Sequence, residues 1–119
     1  MILVMGSLHW DVMVRAPRLP ALDETLMGSG ATYRFGGKGG NQALAATRCG
    51  GLVAFHGAVG TDEAAPRLLA ELDAAGVERS GVADVPGPSG MSIAIDTEDG
   101  YGAVVVSGAN LSVGWRGTP

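Results

Sequence analysis

The sequence predicts an α/β fold: a parallel sheet built as strand, helix, strand, helix, strand, with a small antiparallel sheet beside it. Three observations carry this. The runs "ILVMG" (residues 2–6) and "LVAFHGAVG" (residues 52–60) are unbroken apolar stretches ended by glycine, as expected of strands covered on both faces. A stretch of helical character follows each before the next strand. Two further segments, about residues 24–35 and 89–107, carry short β-like runs around glycines and do not belong in a parallel core.

Taken in order, residues 2–6 form the first strand, and "SLHWDVMV" either continues it or bends away. "RAPRLPALDE", with two prolines, is a connection. "TLMGSG" and "ATYRF" are consistent with a hairpin. Asn41 is placed to cap a helix that runs through Arg48 and stops at Gly50-Gly51. After the strand at 52–60, "TDEAAPRLLAELDAAG" is the strongest helix. Ala65, Leu68, Leu69, Leu72 and Ala75 share one face, Asp62 and Glu63 suit its positive N-terminal end, Pro66 is tolerated only in the first turn, and Gly76 ends it. "GVADV" is a short strand. "MSIAIDTEDGYGAVVV" reads as two strands around a turn at Asp99-Gly100, and the two hairpin-like segments are expected to pair with each other.

Composition bounds the function. At 119 residues the chain is one domain or part of one. Its net charge of −4 and the lack of a basic stripe argue against nucleic acid and against an anionic membrane surface. No apolar run approaches a bilayer span. The start lacks a basic region and meets glycine too early for a signal peptide, so the expected location is cytoplasmic. A single cysteine, Cys49, excludes a disulfide within the chain and is expected as a buried spectator.

The stretch "RFGGKGGNQALAAT" is the chemical centre of the sequence. Lys38 is the only lysine against seven arginines, and it stands among glycines within five positions of Asn41 and Gln42. An ammonium is a compact point charge where a guanidinium is a broad fork, so a site with room only for the former would hold lysine. The spacing fits neither standard phosphate cradle. From Gly37 the sixth position is Gln42 and not glycine, and Lys38 is followed by Gly39 where Ser or Thr is required. A polyhydroxylated ligand fits better. Glycines allow close approach to backbone N–H groups, Asn41 offers an acceptor and two donors, Lys38 supplies charged donors, and Asp11, following the first strand, can accept hydroxyl protons.

In this order the residues resemble a known family. "GSLHWD", then about 25 residues later "GGKGGNQALAA", then "FHGAVGTDE", "SGMSIAI" and "SGAN", are similar to the N-terminal part of ribokinase-like (PfkB) carbohydrate kinases. The resemblance covers nearly the whole chain. It implies a central α/β sheet with a small β-lid, onto which residues 24–35 and 89–107 map. It implies transfer of the ATP γ-phosphate, with Mg²⁺ and a monovalent cation such as K⁺, to a sugar hydroxyl. By position, Asp11 would accept sugar hydroxyls, and Gly37, Lys38, Gly39, Gly40 and Asn41 would form the floor of the sugar site. Asn110 looks structural.

Two departures stand out. The family's asparagine two residues before Asp11 is His9 here, still able to hydrogen-bond a hydroxyl, with Trp10 beside it as a surface for a sugar face. The family's nucleotide site and its Gly-Ala-Gly-Asp segment, which supplies the base and the anion hole, have no counterpart in these 119 residues, and the tail "GWRGTP" does not continue as a helix. The sequence is therefore expected to be the sugar-binding part of a sugar kinase without its C-terminal nucleotide-binding half, and inactive alone. A nucleoside kinase fragment, with Trp10 packing on a base, and a non-catalytic sugar-binding remnant are the alternatives. An uncovered sheet edge invites pairing, which leaves a homodimer through the lid strands as an open expectation.

Overall fold

The computed structural model describes residues 1–114; residues 115–119, on which the reading of the tail rests, lie outside the described residues. In chain order the elements are β1 (Ile2–Met5), β2 (His9–Arg15), β3 (Gly30–Gly36), α1 (Lys38–Arg48), β4 (Val53–Val59), α2 (Ala64–Ala74), β5 (Glu78–Asp84), β6 (Met91–Thr97), β7 (Gly100–Val106) and a 3₁₀ turn (Gly108–Ser112). They make a three-stranded parallel sheet in the order β1-β4-β5 and a four-stranded mixed sheet in the order β3-β2-β6-β7.

The apolar run of β4 makes it the spine of the first sheet, with all seven residues buried. Phe55 and Val59 pack with Leu68 and Leu72 of α2 and with Ala43 and Leu44 of α1. Each such large side chain fully withdrawn from water stabilises the fold by roughly 1.5–3 kcal/mol. α2 uses the expected face: Ala65, Leu68 and Leu72 are buried, Leu69 and Ala75 are packed against them, and Pro66 sits in the first turn. β1 departs from expectation. Its residues Ile2, Leu3 and Met5 are about half exposed, because among the described residues β1 lies at the edge of the sheet and pairs with β4 alone.

Three local expectations are corrected. α1 begins at Lys38 with Gly37 as its cap, so Asn41 lies inside the first turn and its N–H already donates to Gly37 O at 2.9 Å. Gly37 turns the chain at once on leaving β3, with φ 92°, a conformation glycine adopts without strain. Cys49, just past the last residue of α1, is exposed and not buried. The third concerns pairing: "TLMGSG" forms no strand of its own, giving only its last residue, Gly30, to β3, and β3 pairs antiparallel with β2.

β2 bends away from β1 and becomes an inner strand of the second sheet. It pairs with β3 on one side and runs parallel to β6 on the other. The two hairpin-like segments are thus separated by β2 and do not pair with each other. The β6–β7 hairpin forms as expected, closing at Thr97↔Gly100. A cross-strand ion pair, Arg15 to Asp96 at 2.6 Å, joins residues directly opposite in the β2–β6 ladder.

Where the second sheet meets the first, two hydrogen-bond clamps hold the strand ends. Asn110 bridges the backbone of fully buried Leu8: its Oδ1 accepts from Leu8 N–H and its Nδ2 donates to Leu8 O, both at 2.9 Å. This is the structural role expected of Asn110. Asp62, ahead of α2, accepts from Ser89 N–H and Ser89 Oγ–H, each at 2.8 Å, and from Ala65 N–H. Ser89 is buried and its Oγ in turn accepts from Gly60 N–H at 2.9 Å.

Partial burial acts to raise the Asp62 carboxyl, but the bonds from Ser89 and Ala65 outweigh it and hold the group below its ordinary value. A carboxylate with a depressed folded-state pKa stabilises the fold above its unfolded value, near pH 4, and that contribution is lost as pH falls through the folded value. The expected outcome is a melting temperature that drops between pH 6 and pH 3, with a smaller drop in Asp62→Asn. Equal drops in both proteins would remove Asp62 from the clamp.

Candidate functional site

The pleat of the second sheet sorts its side chains into two unlike faces. On one face the register aligns His9, Asp11, Met13 and Arg15 with Gly36, Arg34 and Thr32 of β3, with Ser92, Ala94 and Asp96 of β6, and with Val105, Ala103 and Tyr101 of β7. A cleft of about 330 Å³ opens on this face, with Asp11, Arg34, Thr32, Ser92 and Tyr101 among its polar lining. The other face carries Trp10, Val12, Val14, Tyr33, Phe35, Ile93, Ile95, Val104 and Val106, all apolar or aromatic.

Asp11 is the best-defined group in the cleft. Its Oδ1 accepts from Ser92 Oγ–H at 2.7 Å, and His9 Nδ1 lies 3.7 Å from the same oxygen. Its Oδ2 occupies the space beside Gly36 that a side chain would fill: a Cβ added there would overlap it. The carboxylate is held at Oδ1 by Ser92, with Oδ2 in the space Gly36 leaves, and its side chain is still about one-third exposed (32%) to whatever enters the cleft. A carboxylate offers about four acceptor positions, so Asp11 retains capacity for ligand hydroxyls.

The remaining expected site residues fall around this point. His9 sits opposite Gly36 at the mouth of β2. Gly37 packs on the Ser7 carbonyl and the His9 N–H, Gly39 on the backbone of Gly6, and Gly40 on Leu8 and Phe35, with Gly40 N–H donating to Ser7 O at 3.0 Å. The glycine run therefore seats α1 against the β1–β2 turn. Lys38 is exposed and has no ion pair among the described residues. Asn41 borders a neighbouring cleft of about 470 Å³ with Tyr33, Arg34, Leu44, Arg48 and Glu71. Arg34 borders both clefts. Trp10 is turned to the opposite face, stacked on Tyr33 with ring centroids 6.4 Å apart and with the Arg67 guanidinium 5.8 Å from its ring centre.

Sequence reasoning missed Ser92 and Arg34. Both stand directly opposite Asp11 in the two ladders. The alternation of "MSIAI" marked Ser92 as the polar member of a strand, but only the β2–β6 register places it on the carboxylate.

A model of the pfkB family of carbohydrate kinases matches residues 1–116. The chain belongs to that family. Among its relatives, ribokinase of Bacillus subtilis is 37% identical over 110 residues, which are 92% of this chain and 38% of that protein. The structure of Arabidopsis thaliana ribokinase complexed with ribose and ATP superposes with a TM-score of 0.84 at 32% identity, over 92% of this chain and 36% of that one. Ribokinase from Cryptococcus neoformans in complex with ADP gives 0.81 at 34% identity, over 91% and 34%. The chain thus spans little more than a third of the length of the relatives it matches. The α/β fold expected from the resemblance is the fold of these kinases.

Gly36 provides a direct test of the carboxylate's seat. Gly36→Ala should displace Asp11 from Ser92, with an overpacking cost of about 1–3 kcal/mol in stability. Gly30→Ala, at a position with open space around it, is the matched control. Thermal melting and the Asp11 carboxyl carbon signal by NMR check both variants, and the same carboxyl signal in both would show that the contact with Gly36 does not orient Asp11.

Proposed function

We propose that this chain is the sugar-binding part of an ATP-dependent kinase that phosphorylates a hydroxyl of a ribose-like sugar. The observation that carries this is the Asp11 carboxylate, bonded by Ser92, seated on Gly36 and open to a cleft, in a chain that aligns with ribokinases over about 92% of its length. In this reading the second sheet is the lid, including residues 89–107 and the β3 part of 24–35, with β2 as its sugar-reading strand. Asp11 accepts sugar hydroxyls, His9 adds a second polar contact, and residues 37–41 form the adjoining floor, where Lys38 brings its charge.

ATP, with Mg²⁺ and K⁺, supplies the phosphoryl group and the charge that assists its transfer. The described residues do not fit these groups: they hold no cluster of three His, Cys, Asp or Glu for a metal, and neither phosphate-cradle spacing is present. The nucleoside alternative drew on Trp10, which faces away from Asp11, and so loses its support. A cytoplasmic location goes with the sugar-kinase reading; among the described residues no helix is long and apolar enough to cross a membrane.

Two copies joined through the lid belong to the same proposal. Its apolar face leaves Tyr33, Ile93, Val104 and Val106 substantially exposed. Sedimentation should show a dimer that Val104→Glu dissociates; a monomer at all concentrations would sink it.

The function is tested by titrating a sugar panel into the chain. Ribose is expected to bind saturably without ADP release from Mg·ATP, the turnover machinery being absent from these residues. A hydrogen bond to a charged group is worth about 1.5–3 kcal/mol, so Asp11→Ala should weaken binding about tenfold to hundredfold. Lys38→Arg should weaken it too, if a compact ammonium is what the floor admits. Full affinity in Asp11→Ala, or no sugar bound by the unmodified chain, would overturn the reading.

A further inference from the structure

We infer that Ser92 is a positioning residue for Asp11 and sets the hydrogen-bond polarity of the cleft; this rests on the sugar reading above. Ser92 stands opposite Asp11 in the parallel β2–β6 ladder, and its hydroxyl proton is committed to Asp11 Oδ1 at 2.7 Å. A serine hydroxyl has one proton to give and two lone pairs. With the proton spent on Asp11, Ser92 presents no donor to the cleft, and the Asp11 carboxylate is left as the acceptor that meets a ligand. The pair therefore welcomes groups that donate, such as sugar hydroxyls, and opposes a ligand that brings a carbonyl, ether or deoxy carbon to the same place. The same bond stops Oδ1 from rotating, while Gly36 leaves the space for Oδ2.

The experiment compares the full chain with Ser92→Ala and Ser92→Thr by calorimetry against ribose and its monodeoxy analogues, beside thermal melting. Ser92→Ala should lose about threefold to tenfold in ribose affinity, the worth of one ordinary hydrogen bond. Ser92→Thr, which keeps the hydroxyl, should restore it. For the deoxy analogue lacking the hydroxyl that Asp11 accepts, Ser92→Ala should cost nothing, and in an Asp11→Asn background it should cost nothing for ribose either. A loss spread evenly over every sugar, or one that persists in Asp11→Asn, would overturn the proposal in favour of a general packing effect. The Asp11 carboxyl carbon signal by NMR, recorded without sugar, separates the two ideas. If no sugar binds the unmodified chain, the functional reading fails, and a carboxyl signal unchanged by Ser92→Ala would then overturn the positioning role as well.

Discussion

Residues 6–8 carry the chain from one sheet into another, and the rest of the structure depends on that short passage being held. Leu8 is fully buried and both of its backbone polar groups are taken by one side chain, Asn110, 102 positions later. Gly6 meets Gly39 backbone to backbone, and the Ser7 carbonyl accepts from Gly40. A buried peptide group without a partner costs about as much as a lost hydrogen bond, so the passage can be buried only because these partners arrive from distant parts of the chain. Once it is held, β2 must leave the parallel sheet, and its side chains must fall on fixed faces of the second one.

The site follows from that constraint. The alternation of a strand puts His9 and Asp11 on one face and Trp10 on the other. Because β2 is an inner strand, Asp11 has neighbours on both sides: Gly36 and Arg34 from β3, Ser92 from β6. An edge strand could not have enclosed a carboxylate in this way. The glycines of residues 36–40 serve two ends at once. Gly36 gives the Asp11 carboxylate its place, and Gly37, Gly39 and Gly40 let α1 start against the β1–β2 turn.

The two faces of the second sheet also divide its chemistry. One is mixed and opens a cleft on a carboxylate; the other is largely apolar and substantially exposed at Tyr33, Ile93, Val104 and Val106. Apolar area of that kind is stabilised by cover at about 25 cal/mol per Å². One sheet thus presents a surface suited to hydroxyls and another suited to a second apolar surface, with only a pleat between them.

The sequence by itself determined the elements with strong local signals. The unbroken apolar run of β4 and the helical spacing of Leu68 and Leu72 specify one strand and one helix whatever surrounds them. Asp99-Gly100 specifies the β6–β7 turn, and the order of Asp11, Lys38 and Asn41 around a glycine run marks the family. Tertiary structure decided what depends on residues far apart. It set β2 between the two hairpin-like segments, left β1 half exposed at an edge, moved the start of α1 from Asn41 back to Lys38, and brought Cys49 to the surface. It also brought Ser92 to Asp11 across 81 positions and turned Trp10 away from them. Period and turn chemistry are properties of a few neighbouring residues, and so they can be read along the chain. Register, sheet order and the partner of a buried polar group are set by which strands meet, and that is fixed only when the whole core closes.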